Sequence, residues 1–163
     1  MEPRIQYAKT EDGVSIAFYT LGEGMPVVGA WTATSIQRDL QIPEWRPWFE
    51  RMAGRKLVRF DPRGTGLSDR DVGDYSLDAL MLDVEAVVKR LDLGRLALIG
   101  SYLYGPLAIS YAAQHPEQVS HLIRTSKLYA TPSGVYKRRP PTRYKQSYSK
   151  RYSRQTLAAL SNA

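Results

Sequence analysis

The chain has 163 residues, enough for one domain with a core of its own, and 43% of them are apolar, as in an ordinary globular protein. It contains no cysteine, which excludes disulfides, thiolate catalysis and Cys-ligated metals, and no run approaches the ~18 apolar residues that span a bilayer. The net charge of +7 is unevenly divided: residues 1–117 hold 13 Lys+Arg against 16 Asp+Glu, whereas residues 118–163 hold 10 Lys+Arg and no acid, so the basicity does not mark the whole domain as nucleic-acid binding.

Ile5–Ala8 and Val14–Leu21 alternate apolar and polar residues on either side of Glu11-Asp12-Gly13, which predicts an antiparallel hairpin. Pro26–Gly29 reads as a short buried strand. Over Pro43–Met52, Trp45, Trp48, Phe49 and Met52 fall at spacings of three and four and predict a helix with one apolar face. Lys56–Phe60 is the next strand. Ser76 caps a helix over Leu77–Leu91 whose stripe is Leu77, Leu80, Met81, Val84, Val87, Val88 and Leu91. Asp78 in its first turn and Lys89 and Arg90 in its last suit the helix dipole. A strand over Leu96–Ile99, a helix ending near His115-Pro116 and a strand over Val119–Ile123 complete the pattern. Strands alternating with helices imply parallel βαβ units, here after a hairpin, so the fold class is α/β. Residues 124–163 show no apolar period and are expected to be disordered, with a domain over residues 1–123.

Two segments carry chemistry. In the first, Arg95–Gly100 passes through Ser101-Tyr102-Leu103-Tyr104-Gly105 into Pro106–Ala113, a strand, a tight turn and a helix. That is the layout of a nucleophile elbow, normally Gly-x-Ser-x-Gly. Here Gly100 and Gly105 flank a turn with Tyr102 at the nucleophile position and Tyr104 two further on. A register shifted to Ser101 would place Ile99 and Leu103 where the small residues belong. The second segment is Asp61-Pro62-Arg63-Gly64-Thr65-Gly66-Leu67-Ser68-Asp69. Gly64 and Gly66 permit backbone conformations closed to other residues, and Arg63 is expected to tie the loop down through its two aspartates. By itself it reads as a tight structural loop.

Together the loop and the turn resemble the α/β-hydrolase superfamily. The nearer resemblance, through Ile42-Pro43-Glu44-Trp45, Arg63–Asp69, Gly105–Ile109 and His115–Ile123, is to bacterial domains of this fold often fused to adenylate cyclase or LuxR-type regulators. It covers about residues 4–123, the first half of such a domain, so a truncated fold is expected. The resemblance implies hydrolysis of an ester, amide or similar bond of a small molecule by a Ser-His-Asp/Glu triad, without a cofactor. It also implies an oxyanion hole from the Leu103 N–H and the loop at Ala30-Trp31-Thr32. The order nucleophile, acid, histidine fails here: no Asp or Glu follows Glu117, and the two histidines, His115 and His121, fall in a loop and a strand. A phenol, with a pKa near about 10, is a poor substitute for an activated serine.

Three readings follow: a catalytically dead hydrolase half, either fragment or pseudoenzyme; an active hydrolase with a non-standard or externally completed site; and a binding module. The third rests on Lys137–Arg139, Arg143, Lys145 and Lys150-Arg151, which interleave with Tyr136, Tyr144, Tyr148 and Tyr152 as a nucleic-acid or protein contact would. An inert or out-of-frame extension would also have that composition. The resemblance to half a fold further implies an exposed apolar edge at Val119–Ile123 and self-association there. Asp69, Asp71 and Asp74 read as a solvated loop, and no metal site or membrane contact is expected. Met1–Tyr7 lacks the apolar stretch of a signal peptide, so a cytoplasmic location is expected.

Overall fold

The computed structural model describes residues 3–30, 35–39, 41–43, 47, 51, 52 and 54–124. Six strands form one mixed sheet: β1 (Gln6–Lys9), β2 (Ser15–Leu21), β3 (Met25–Ala30), β4 (Arg55–Phe60), β5 (Leu96–Gly100) and β6 (Val119–Arg124), in the spatial order β1-β2-β4-β3-β5-β6. The helices are a single turn α1 (Ile36–Asp39), α2 (Leu77–Arg90) and α3 (Gly105–Gln114). Among the described residues no helix is long and apolar enough to cross a membrane.

The predicted hairpin forms, with Gln6 opposite Phe18 and Lys9 opposite Ser15. Its turn closes because Gly13 takes φ 86° and the Thr10 hydroxyl accepts from Val14 N at 2.7 Å. β2 also pairs antiparallel with β4, and from there β4, β3, β5 and β6 run parallel. The alternation in β2 predicts one buried and one open face, but Ile16, Ala17, Phe18 and Tyr19 are all fully buried. Ile16 and Phe18 face the main core, while Ala17 and Tyr19 meet Ile36 of α1 on the other face. In β5 all five residues are buried, as for parallel strands covered on both faces.

α2 and α3 cover one face, over a core that includes Phe18, Val28, Val58, Phe60, Leu98, Val84, Val87, Leu107 and Tyr111. Ser76 caps α2 through a bond from Ala79 N at 3.2 Å. The stripe predicted for α2 needs correction. Leu77 is 39% exposed, and the buried arc takes in Ala79, Asp83 and Ala86 instead. The predicted helix over 43–52 falls largely outside the described residues, as do Trp45, Trp48 and Phe49; Met52 is buried against Leu57 and Val27. The basic segment beyond Arg124 also lies outside them.

Candidate active site

Parallel strands bring their C-terminal ends to one edge of the sheet, where ligands bind in open α/β folds. Here β4 delivers Asp61 to that edge and β5 delivers the turn after Gly100.

The turn has the shape of an elbow. Ser101 continues β5 in an extended conformation, φ −125° and ψ 150°, and is buried. The next residue, Tyr102, swings to φ 52°, the left-handed region that a bulky side chain enters only under strain, and is 48% exposed. A single 3-10 turn, Tyr102–Tyr104, closed by Tyr104 N to Ser101 O at 3.1 Å, then feeds α3, which has Pro106 in its first turn. The apex is therefore Tyr102 and not Ser101, whose hydroxyl belongs to the strand end.

Gly100 makes the sharp turn possible. A Cβ there would lie 2.5 Å from Tyr104 O and 2.6 Å from Ala108 Cβ, so helix and strand meet at this residue. Tyr104 does not hold them apart. Its ring is buried in the main core with Leu107, Ala108 and Tyr111, and burial pushes its phenol up to about 12. Gly105 has a helical φ of −59°, and a Cβ there would meet only Arg124 at an ordinary 3.5 Å. Leu103 follows Tyr102 in the turn, while Trp31, the other oxyanion candidate, lies outside the described residues.

Neither histidine stands beside Tyr102. His115 caps the far end of α3, about 15 Å along the helix. There it stacks on Tyr111 at 4.4 Å, with Nε2 3.5 Å from Glu85 Oε1. His121 pairs with Ala97, three residues and about 10 Å before Gly100, and its Nδ1 lies 3.2 Å from Ser120 Oγ.

The Asp61–Asp69 loop is tied into the fold at nearly every polar group. Asp61 accepts from Ile36 N and Leu67 N, each at 2.9 Å. Gly66, at φ 52°, packs so closely that a Cβ would sit 1.8 Å from Asp61 Oδ2. Gly64, at φ 74°, lies under the Tyr75 ring. The Ser68 hydroxyl accepts from Ala17 N at 2.9 Å and donates to Asp61 O. Asp69 accepts from Ser15 N at 2.7 Å.

Arg63 departs from its expected role. Its partners are neither Asp61 nor Asp69 but Asp83 of α2 and Asp12 of the hairpin turn. Nε donates to Asp83 Oδ1 at 2.8 Å, the backbone N to Asp83 Oδ2 at 2.9 Å, and the two terminal nitrogens to Asp12 at 2.7 and 3.1 Å. One buried guanidinium thus joins hairpin, loop and helix, with the bidentate geometry that arginine supplies. Burial pushes the Asp83 carboxyl up to about 6, although the hydrogen bonds from Arg63 pull the other way. The bonds from Arg63 hold Asp12 below the usual carboxylate range. A second buried pair joins Arg59 Nε to Asp39 Oδ2 at 2.9 Å, with the Arg59 guanidinium also donating to Phe60 O. Sequence reasoning missed both pairs. The available signal for Asp83 was its place between Ala79 and Ala86, one turn away on either side.

Among the described residues no group of three His, Cys, Asp or Glu could hold a metal ion, and Asp69, Asp71 and Asp74 do not converge on one.

A family model described as alpha/beta hydrolase fold matches residues 35–157 of the chain. The chain belongs to the α/β-hydrolase family. Among its relatives, the AB hydrolase superfamily protein YisY of Bacillus subtilis is 32% identical over 111 residues, which cover 67% of this chain and 40% of YisY. The putative carbamate hydrolase RutD of Rhizobium rhizogenes is 35% identical over 81 residues, 48% of this chain and 31% of RutD. Among solved structures, the esterase EaEST of Exiguobacterium antarcticum superposes with a TM-score of 0.63 at 25% identity, over 74% of this chain and 44% of the esterase. The epoxide hydrolase VrEH1 of Vigna radiata has the same fold, with a TM-score of 0.67 at 18% identity over 81% of this chain and 43% of the enzyme. This α/β-hydrolase chain thus spans less than half the length of each of these four proteins.

Proposed function

We propose that the chain is an α/β-hydrolase-fold protein of serine-hydrolase, esterase-like ancestry that is catalytically inactive as it stands, a fragment or a pseudoenzyme. The observation that carries this reading is Tyr102: the strained, exposed apex of the elbow is a phenol, while the neighbouring serine is buried in extended strand. A nucleophile must be activated by a base within hydrogen-bond reach, and both histidines stand remote from the apex. The chemistry inherited would be cleavage of a small-molecule ester or amide, in keeping with relatives named as an esterase and a putative carbamate hydrolase. The reading places the protein in the bacterial cytoplasm.

A direct test is turnover of a p-nitrophenyl ester by the purified chain and by Tyr102→Ser. Both should stay at the rate of buffer, because restoring a hydroxyl does not restore its base. Turnover gained by Tyr102→Ser would overturn the reading, since it would require a functioning base in this chain.

A second reading has one observation in its favour. An elbow held at φ 52° is costly to keep for no purpose, which supports a site completed by residues beyond these 163. In that case a complementing chain would confer turnover that neither partner has alone. The basic, tyrosine-rich segment supports a third, in which that segment contacts nucleic acid or a protein.

A further inference from the structure

Asp12 and Gly13, in the hairpin turn, are the one Asp-Gly step in the sequence. Such a step is chemically vulnerable, because glycine has no side chain to shield its amide nitrogen. That nitrogen attacks the side-chain carboxyl carbon of the aspartate. A C–N bond forms, the carboxyl loses one oxygen as water, and a five-membered cyclic imide results. Water then opens the imide at either carbonyl. Opening at the main-chain carbonyl leaves isoaspartate, in which the backbone runs through the former side chain. The sequence of steps consumes and returns one water and requires no oxidant or metal.

The location of the step favours this reaction. The Asp12 side chain is 37% exposed, and a Cβ on Gly13 would meet nothing within 4 Å among the described residues, so packing does not shield the pair. Hydrogen bonds do. Asp12 Oδ2 accepts from Arg63 Nη1 at 2.7 Å, and Oδ1 accepts from Arg63 Nη2 at 3.1 Å and from the Thr10 hydroxyl. The Gly13 N–H donates to Thr10 O at 3.0 Å. Cyclisation needs a carboxyl that carries a proton, so that water can leave, and a carboxyl carbon free to swing onto Gly13 N. The guanidinium opposes both: it favours the ionised carboxylate and holds both oxygens toward the Asp61–Asp69 loop. It cannot follow a moving carboxylate, because its own Nε and backbone N are fixed to Asp83.

We propose that Asp12–Gly13 is a latent isomerisation site that Arg63 and Thr10 hold shut in the folded chain. Arg63 then has a chemical role beside its structural one. The product would not fit the turn: isoaspartate adds one main-chain atom between Thr10 and Val14, whose bonds Gly13 N to Thr10 O and Thr10 N to Val14 O close the hairpin. It would also set the carboxylate on a shorter arm and leave Arg63 facing Asp83 alone. This inference does not depend on whether the elbow is active.

The test is ageing of the purified full chain at neutral pH, folded in buffer and unfolded in guanidinium chloride. Trypsin releases Asp12 in the peptide Thr10–Arg38, whose isoaspartyl form is separated by chromatography and identified by electron-transfer fragmentation. The folded chain should isomerise roughly tenfold or more slowly than the unfolded one, because reaction waits for the turn to open. Arg63→Lys keeps the charge but not the two-pronged grip, and should raise the rate in the folded protein several-fold. Equal rates in folded and unfolded wild-type chain, or a folded Arg63→Lys that isomerises no faster than wild type, would overturn the proposal. If Arg63→Lys fails to fold by circular dichroism, Thr10→Val takes its place. It removes the hydroxyl from Asp12 Oδ1 and should also raise the rate, and an unchanged rate would overturn the proposal equally.

Discussion

Tyr102 stands at φ 52°, where an ordinary side chain costs about 1–2 kcal/mol and glycine almost nothing. The ring is half exposed. Tyr102→Gly should therefore raise stability by about 0.5–1 kcal/mol in urea unfolding, after the larger entropy of an unfolded glycine is counted. A loss of stability would show that the turn is not strained. Asp83 supplies the second residue-scale prediction. Its folded pKa of about 6 lies above the ordinary value of about 4, so the folded protein holds a proton that the unfolded chain has released. The contribution of Asp83 to stability should then fall as pH rises from about 4 to about 6 and be flat outside that window. Asp12, shifted the other way, stabilises above the ordinary carboxylate pKa and loses that effect only as pH drops below it. In urea melts across this range, Asp83→Asn should flatten the pH 4–6 slope whatever it does to stability overall. A slope unchanged by Asp83→Asn would contradict the assignment.

At the scale of elements, the Asp61–Asp69 loop is the joint between hairpin, sheet and α2, and its Gly66 is constrained in a way that Gly73, just beyond the loop, is not. Gly66→Ala combines a left-handed φ with a Cβ driven into Asp61, and should cost about 2–4 kcal/mol in thermal or urea melts. Gly73→Ala, with nothing within 4 Å, should be neutral or stabilising by up to about 1 kcal/mol. Equal effects at the two positions would remove the reason given for the loop's geometry. The loop's glycines, the Ser76 cap and all six strands were legible in the sequence because each depends on short-range pattern. What Arg63 holds was not legible, because its partners lie 51 residues before it and 20 after it, and a charge on an amphipathic helix looks the same whether it faces water or a guanidinium. The burial of β2 on both faces was hidden for the same reason: strand alternation does not reveal that α1 will cover the second face.

At the scale of the molecule, the α/β-hydrolase fold was readable from two loops whose backbone demands are unusual, and the family model and the solved folds agree with it. The site was less readable, since a sequence names the residue at the elbow but not its dihedral angle. The structure puts that residue at the strained apex, and it is a tyrosine, with its serine neighbour withdrawn into the strand and both histidines remote. The central claim is that this elbow has the form of a nucleophile site without a working nucleophile. It is tested most directly by incubating the purified full chain with a fluorophosphonate probe and locating any adduct by mass spectrometry. The account predicts no labelling above that of heat-unfolded protein. Stoichiometric labelling of the folded chain that disappears in Ser101→Ala would contradict it.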